Sequence, residues 1–81
     1  MFIHLGDDIL IKSSEVIAIF DFNLIGEDDT NRLFIDRCLE EKKLVDVGEK
    51  STKSIIITSH YIYFSPFSPS TLKKRSQSNF M

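Results

Sequence analysis

A single cysteine, Cys38, leaves the chain unable to form an internal disulfide, which excludes a stapled secreted mini-protein. Three glycines, Gly6, Gly26 and Gly48, are too far apart to make a Gly-rich phosphate loop. The longest apolar stretches, such as Val16–Phe20 and Ile55–Ile57, are far short of the ~20 residues that span a bilayer, so no membrane partner is expected. The opening run MFIHLGDD has no basic segment and turns acidic at once, unlike a signal peptide; the expectation is a soluble, cytoplasmic chain. Beyond Glu49 there is no Asp or Glu at all.

The 81 residues present have room for one domain, expected over residues 1–76, with a frayed polar tail at 77–81. A chain of this size buries only about 60 to 65% of the surface that its unfolded form exposes. Either packing is very efficient, or copies of the chain associate and gain further burial. The net charge of −2 hides a sharp division. Residues 1–49 hold all twelve carboxylates against five cations, a balance of −7, and residues 50–81 hold five cations alone. Such asymmetry suits a polyanion or an acidic partner, and it equally describes a solvated surface whose charges happen to segregate. It also allows the acidic half of one copy to dock on the basic half of the next, a head-to-tail contact that closes into a ring.

The pattern along the chain predicts an α+β fold. Phe2–Leu5 and Ile9–Lys12 flank the turn residues Gly6-Asp7-Asp8 and read as a hairpin. Ser13-Ser14-Glu15 is a polar break, and Val16–Phe22 is the strongest strand signal, with Asp21 on its solvent side. A loop over residues 23–30 ends in Glu27-Asp28-Asp29-Thr30, which offers N-cap side chains to a helix running to about Lys43. On that helix Phe34, Ile35, Cys38 and Leu39 form one apolar stripe, with the ion pairs Arg32/Asp36 and Arg37/Glu41 opposite. Leu33 falls on the charged face, where a neighbouring subunit can touch. Leu44–Val47 is predicted as a short strand, Gly48–Lys53 as a hairpin tip, and Ser54–Thr58 and Ile62–Ser65 as strands. Pro66 ends the last of them, and Ser68-Pro69 is an N-cap and N1 pair opening a short helix through Arg75. Ile9–Val16 echoes Ile55–Ile62 without gaps, which suggests two similar strand–turn–strand units around a central helix in one small antiparallel sheet.

Few residues invite catalysis. Cys38 sits on the apolar stripe with no cation near it in sequence, as expected of a buried, inert thiol. His4 and His60 are isolated, so no metal-ligand spacing exists. Asp7-Asp8 and Asp28-Asp29 are adjacent pairs that suit turns and caps, and a Ser59/His60/Asp21 triad needs sequence neighbours to align as nucleophile and base. No enzyme activity, cofactor, metal or small-molecule substrate is expected, because so thin a core leaves little room for a pocket of ~300 Å³. Tyr61, Tyr63 and Phe64 suit base stacking, although strand alternation turns at least one of the last two inward. What remains is the cationic set: Lys50 and Lys53 at the expected tip, and Lys73, Lys74 and Arg75 on the last helix, placed to contact DNA phosphates. One monomer making four or five such contacts binds weakly, and repetition around an oligomer corrects this by avidity.

Several segments together resemble the Rem family of extracellular matrix regulators, in its RemB branch. They are Ile3–Asp8, Val16–Phe22, Lys53–Thr58, Ile62–Pro66 and Ser70–Arg75. The resemblance implies a small α+β subunit of LytTR-like fold, assembly into rings, and transcriptional control of biofilm matrix genes by binding double-stranded DNA. In the sister branch DNA contact is attributed to arginines at the break after the second strand and at the second hairpin tip. Lys50 matches the tip with Lys53 beside it, whereas Ser51 and Glu15 stand at other arginine positions. Because Glu15 repels phosphate, a second reading stays open: a ring-forming regulator without direct DNA binding, acting through protein partners.

Overall fold

A computed structural model describes residues 2–78. The chain is α+β, in three layers. Strands β1 (Phe2–Gly6) and β2 (Ile9–Lys12) form the expected antiparallel hairpin as a separate two-stranded sheet. A four-stranded sheet follows, built from β3 (Ala18–Asp21), β4 (Lys43–Asp46), β5 (Ser54–Ile57) and β6 (Tyr61–Ser65) in the order β3-β5-β6-β4. Helix α1 (Asp29–Glu41) lies on one face of this sheet, and the hairpin with helix α2 (Pro69–Ser78) on the other. The last helix runs to Ser78, and of the expected tail at 77–81, residues 79–81 lie outside the described residues.

The isoleucine run of β5 divides the core. Side chains of a strand alternate between faces, so Ile56 joins Ile3, Leu5, Ile11, Tyr63 and Leu72 beneath the hairpin and α2. Ile55 and Ile57 join Ile35, Cys38 and Ile62 beneath α1. All four residues of β5 are buried, as befits a strand covered on both sides.

The sheet is mixed, not purely antiparallel as the sequence predicts. Helix α1 carries the chain from the β3 edge to the opposite edge, so β4 runs parallel to β6. Residues 47–53 are accordingly no hairpin tip. They pass around the end of β6 to reach β5, with the Val47 and Gly48 N–H groups both donating to the Phe64 carbonyl at 2.9 Å. Nor does the echo between residues 9–16 and 55–62 become a symmetric pair of units: β2 pairs with β1, whereas β5 pairs with β6 and β3. The Ser13-Ser14-Glu15 break is a short 3₁₀ turn, and residues 22–27 form a second one.

Local chemistry sets the helix ends. The Asp28 carboxylate accepts from the Thr30 and Asn31 N–H groups at 2.9 and 3.3 Å, capping α1. The helix stops at Glu41, because Lys42 is already extended and Lys43 belongs to β4. Arg32 pairs with Asp29 at 3.5 Å instead of Asp36, and no ion pair joins Arg37 to Glu41 among the described residues. The Ser68 hydroxyl accepts from the Thr71 N–H, as the Ser-Pro signature predicts.

Two sites lock the hairpin layer to the sheet. Gly6, at φ +123°, lies where a Cβ would come within 3.0 Å of Val47 Cγ1 and 3.2 Å of the Pro66 ring, so only glycine fits. The fully buried Ser65 hydroxyl donates to the Leu5 carbonyl at 2.6 Å and accepts from the Phe67 N–H at 3.1 Å. Ser65→Ala strands both backbone groups, and thermal or urea unfolding should report a loss of about 1–3 kcal/mol.

Candidate nucleic-acid interface

The five cations fall on two elements. Lys50 lies in the 3₁₀ turn Glu49–Ser51, and Lys53 lies two residues beyond that turn; both are exposed. The turn is held by its own backbone: Glu49 adopts φ 51°, its N–H donates to the Asp46 carboxylate at 2.8 Å, and the Thr52 hydroxyl donates to the Glu49 carbonyl. Lys53 has its backbone fixed on both sides. Its N–H donates to the Ser65 carbonyl at 2.8 Å and its carbonyl accepts from the Phe22 N–H at 2.9 Å, which leaves only the side chain free to reach outward.

Lys73, Lys74 and Arg75 are exposed on α2 directly after Leu72, which is fully buried. At about 100° per residue, Lys74 lies opposite Leu72 and the other two flank it, so the three cations fan around the helix instead of sharing one stripe. Arg75 is set by an aromatic partner: its guanidinium carbon lies 4.4 Å from the centroid of the Phe67 ring. The Phe67 carbonyl in turn accepts from the Ser54 hydroxyl at 2.7 Å. Through Ser54 and Phe67, Lys53 and Arg75 are brought to the same end of the sheet. Lys50, Lys53, Lys73 and Lys74 make no salt bridge among the described residues. Phe67 carries no motif of its own in the sequence beyond its place between Pro66 and the Ser68-Pro69 cap.

The other candidate residues have local roles. One Glu15 carboxylate oxygen accepts from the Lys12 N–H at 3.2 Å, tying off the first 3₁₀ turn. Asp21 accepts from the Asn23 N–H at 2.9 Å, and His4 Nε2 lies 2.7 Å from the Asp7 carbonyl oxygen. Cys38 is buried as expected. Among the described residues no three His, Cys, Asp or Glu side chains gather into a metal-binding group, and no helix is long and apolar enough to cross a membrane.

Of the aromatic residues of β6, Tyr63 turns into the core and Tyr61 stays exposed, their ring centroids 5.8 Å apart. Burial raises the Tyr63 phenol above its usual 10.0, with smaller contributions from Tyr61 and the Glu15 carboxylate. The folded protein thus holds this proton more tightly than the unfolded chain does. Its contribution to stability is complete below pH about 10 and is lost as pH rises through the folded-state value. Tyr63→Phe is expected to flatten the alkaline decline of the melting temperature measured across that range.

The profile of the RemA-like family, described as extracellular matrix regulatory protein A-like, matches residues 2–75. The chain is also similar to extracellular matrix regulatory protein B of Bacillus subtilis strain 168, with 39% identity over 77 residues, covering 95% of this chain and 91% of that one. The matched region takes in all five cations together with the hairpin and sheet that position them. The chain therefore belongs to the Rem family of extracellular matrix regulatory proteins, in its RemB branch.

Proposed function

We propose that the chain is a cytoplasmic transcriptional regulator of extracellular matrix (biofilm) genes, a LytTR-like subunit that binds the backbone of double-stranded DNA through basic patches repeated around a head-to-tail homo-oligomeric ring. The observation that carries this reading is that Phe67, which seats Arg75, is hydrogen-bonded to Ser54, the residue next to Lys53, at one end of the sheet. Among the described residues, exposed lysines without carboxylate partners stand on both segments. Unneutralised cations held by a rigid backbone suit phosphate contact, and lysines position a protein on a duplex without reading its bases. The capping of the Lys12 N–H by Glu15 gives that carboxylate a task within its own turn, which lessens the conflict with DNA. Among the described residues ten large apolar side chains stand exposed, consistent with further burial by association. Titration of a fluorescently labelled duplex should show binding at low salt that is nearly independent of base sequence; no binding there rejects this reading.

A second reading is favoured by Leu33, which is 65% exposed on the acidic face of α1. On that reading the ring has no direct contact with DNA and regulates through protein partners. Multimers that fail to bind any duplex at low salt select it.

A further inference from the structure

Opposite layers of the domain differ in charge, and both expose apolar side chains. The segment from Phe22 to Lys42, which includes α1, holds six carboxylates against three cations. The hairpin and α2 hold four cations against two carboxylates, and both of those carboxylates sit at the β1–β2 turn. On the hairpin, the pairings Phe2 with Lys12 and His4 with Leu10 define its outer face. Phe2 and Leu10 are 47% and 60% exposed there, with Phe2 and the ammonium-bearing Lys12 at the end away from the acidic turn. At the β3 edge, a groove of about 190 Å³ opens between β3, the 22–27 turn and the start of α1. Ile19, Phe20, Leu24 and Ile25 line it, with Asp21 and Asn31 as its polar residues, and Leu24 is 56% exposed. The Asp28 carboxylate, capping Asn31, adds negative charge at this rim.

We infer that the outer face of the hairpin of one copy docks into the β3–α1 groove of the next, Leu10 and Phe2 meeting Leu24 and Phe20 while Lys12 faces Asp21 and Asp28. The inference rests on the ring reading above and names its seam. The occupant is a second copy because each chain presents both halves of the contact, apolar against apolar and cation against carboxylate. The groove straddles the β3 edge, no hairpin residue lines it, and Phe2 and Leu10 face away from the sheet, so the two halves do not satisfy each other within a chain. A contact between unlike patches is heterologous and propagates head to tail until it closes. The seam uses Lys12 alone among the cations of its layer and leaves those of α2 to solvent.

Light scattering on the full chain tests this. Wild type is expected as a multimer, and Leu10→Asp and Leu24→Asp as monomers. An equimolar mixture of the two is expected to form dimers and nothing larger, because one intact hairpin meets one intact groove. Both residues are exposed, so far-UV circular dichroism should be unchanged; Leu10→Ser and Leu24→Ser replace either variant that loses it. Variants that keep the wild-type mass, or a mixture that stays monomeric, overturn the seam and leave the ring. Loss of mass in Leu10→Asp alone assigns the groove to another occupant and also overturns it. A monomeric wild type removes the ring reading itself.

Discussion

Ile56→Ala is expected to lower stability by about 2–5 kcal/mol, enough to unfold much of the population at growth temperatures. Ile56 has no exposed surface and lies in the core beneath the hairpin and α2, in one cluster with Ile3, Leu5 and Ile11 of the hairpin, Tyr63 of β6 and Leu72 of α2. Removing its outer carbons forfeits their transfer energy and leaves a cavity that a sheet fixed on its other face by Ile55 and Ile57 cannot close. For a domain of this size each kcal/mol shifts the melting temperature by roughly 4–8 °C, so a fall of about 10 °C or more is expected by calorimetry. Leu33→Ala is the control: its side chain is mostly in water, and a change within about 0.5 kcal/mol is expected. Equal effects of the two substitutions contradict this account of the core.

Lys50→Glu/Lys53→Glu is expected to weaken duplex binding at least ~100-fold near 0.1 M salt while leaving the fold intact. Both side chains are exposed, and the hydrogen bonds that shape this segment come from backbone atoms and from Asp46 and Thr52, so charge reversal removes no structural contact. Each lost phosphate contact should reduce the salt slope by about 0.9, so the double variant binds both more weakly and with shallower salt dependence. In the proposed ring the loss repeats in every subunit, so the effect is expected to exceed what two contacts in a monomer can produce. Unchanged affinity places the phosphate contacts elsewhere.

Much of the fold is legible where the information is local. The hairpin around Gly6-Asp7-Asp8, the Asp28 cap, the Ser68-Pro69 helix start and the buried β5 all follow from turn chemistry and strand period, and each is present. The neighbour of β4 is not local information. Lys43–Asp46 carries the same pattern whether it pairs with β5 or β6, and the choice is made by α1, which delivers it to the far edge. The expected hairpin tip fails for the same reason. The helix stripe is half right: Ile35 and Cys38, at its middle, are buried, while Phe34 and Leu39, at its two edges around the helix axis, remain 42% and 38% exposed. The cations could be named from sequence, but not their arrangement. That depends on a hydrogen bond from Ser54, at the start of β5, to Phe67 in the link between β6 and α2, and on a ring stacked by a residue eight positions later.

The salt dependence of wild-type duplex binding tests the central claim most directly. A single chain offers five cations in its basic segment, so even with all of them on phosphate its log–log slope cannot exceed about 4.5 in magnitude. A closed multimer that presents the same side chains repeatedly to one duplex should give a slope well beyond that limit, and this is the result expected. A slope within the single-chain limit, or affinity that does not change with salt, contradicts the account.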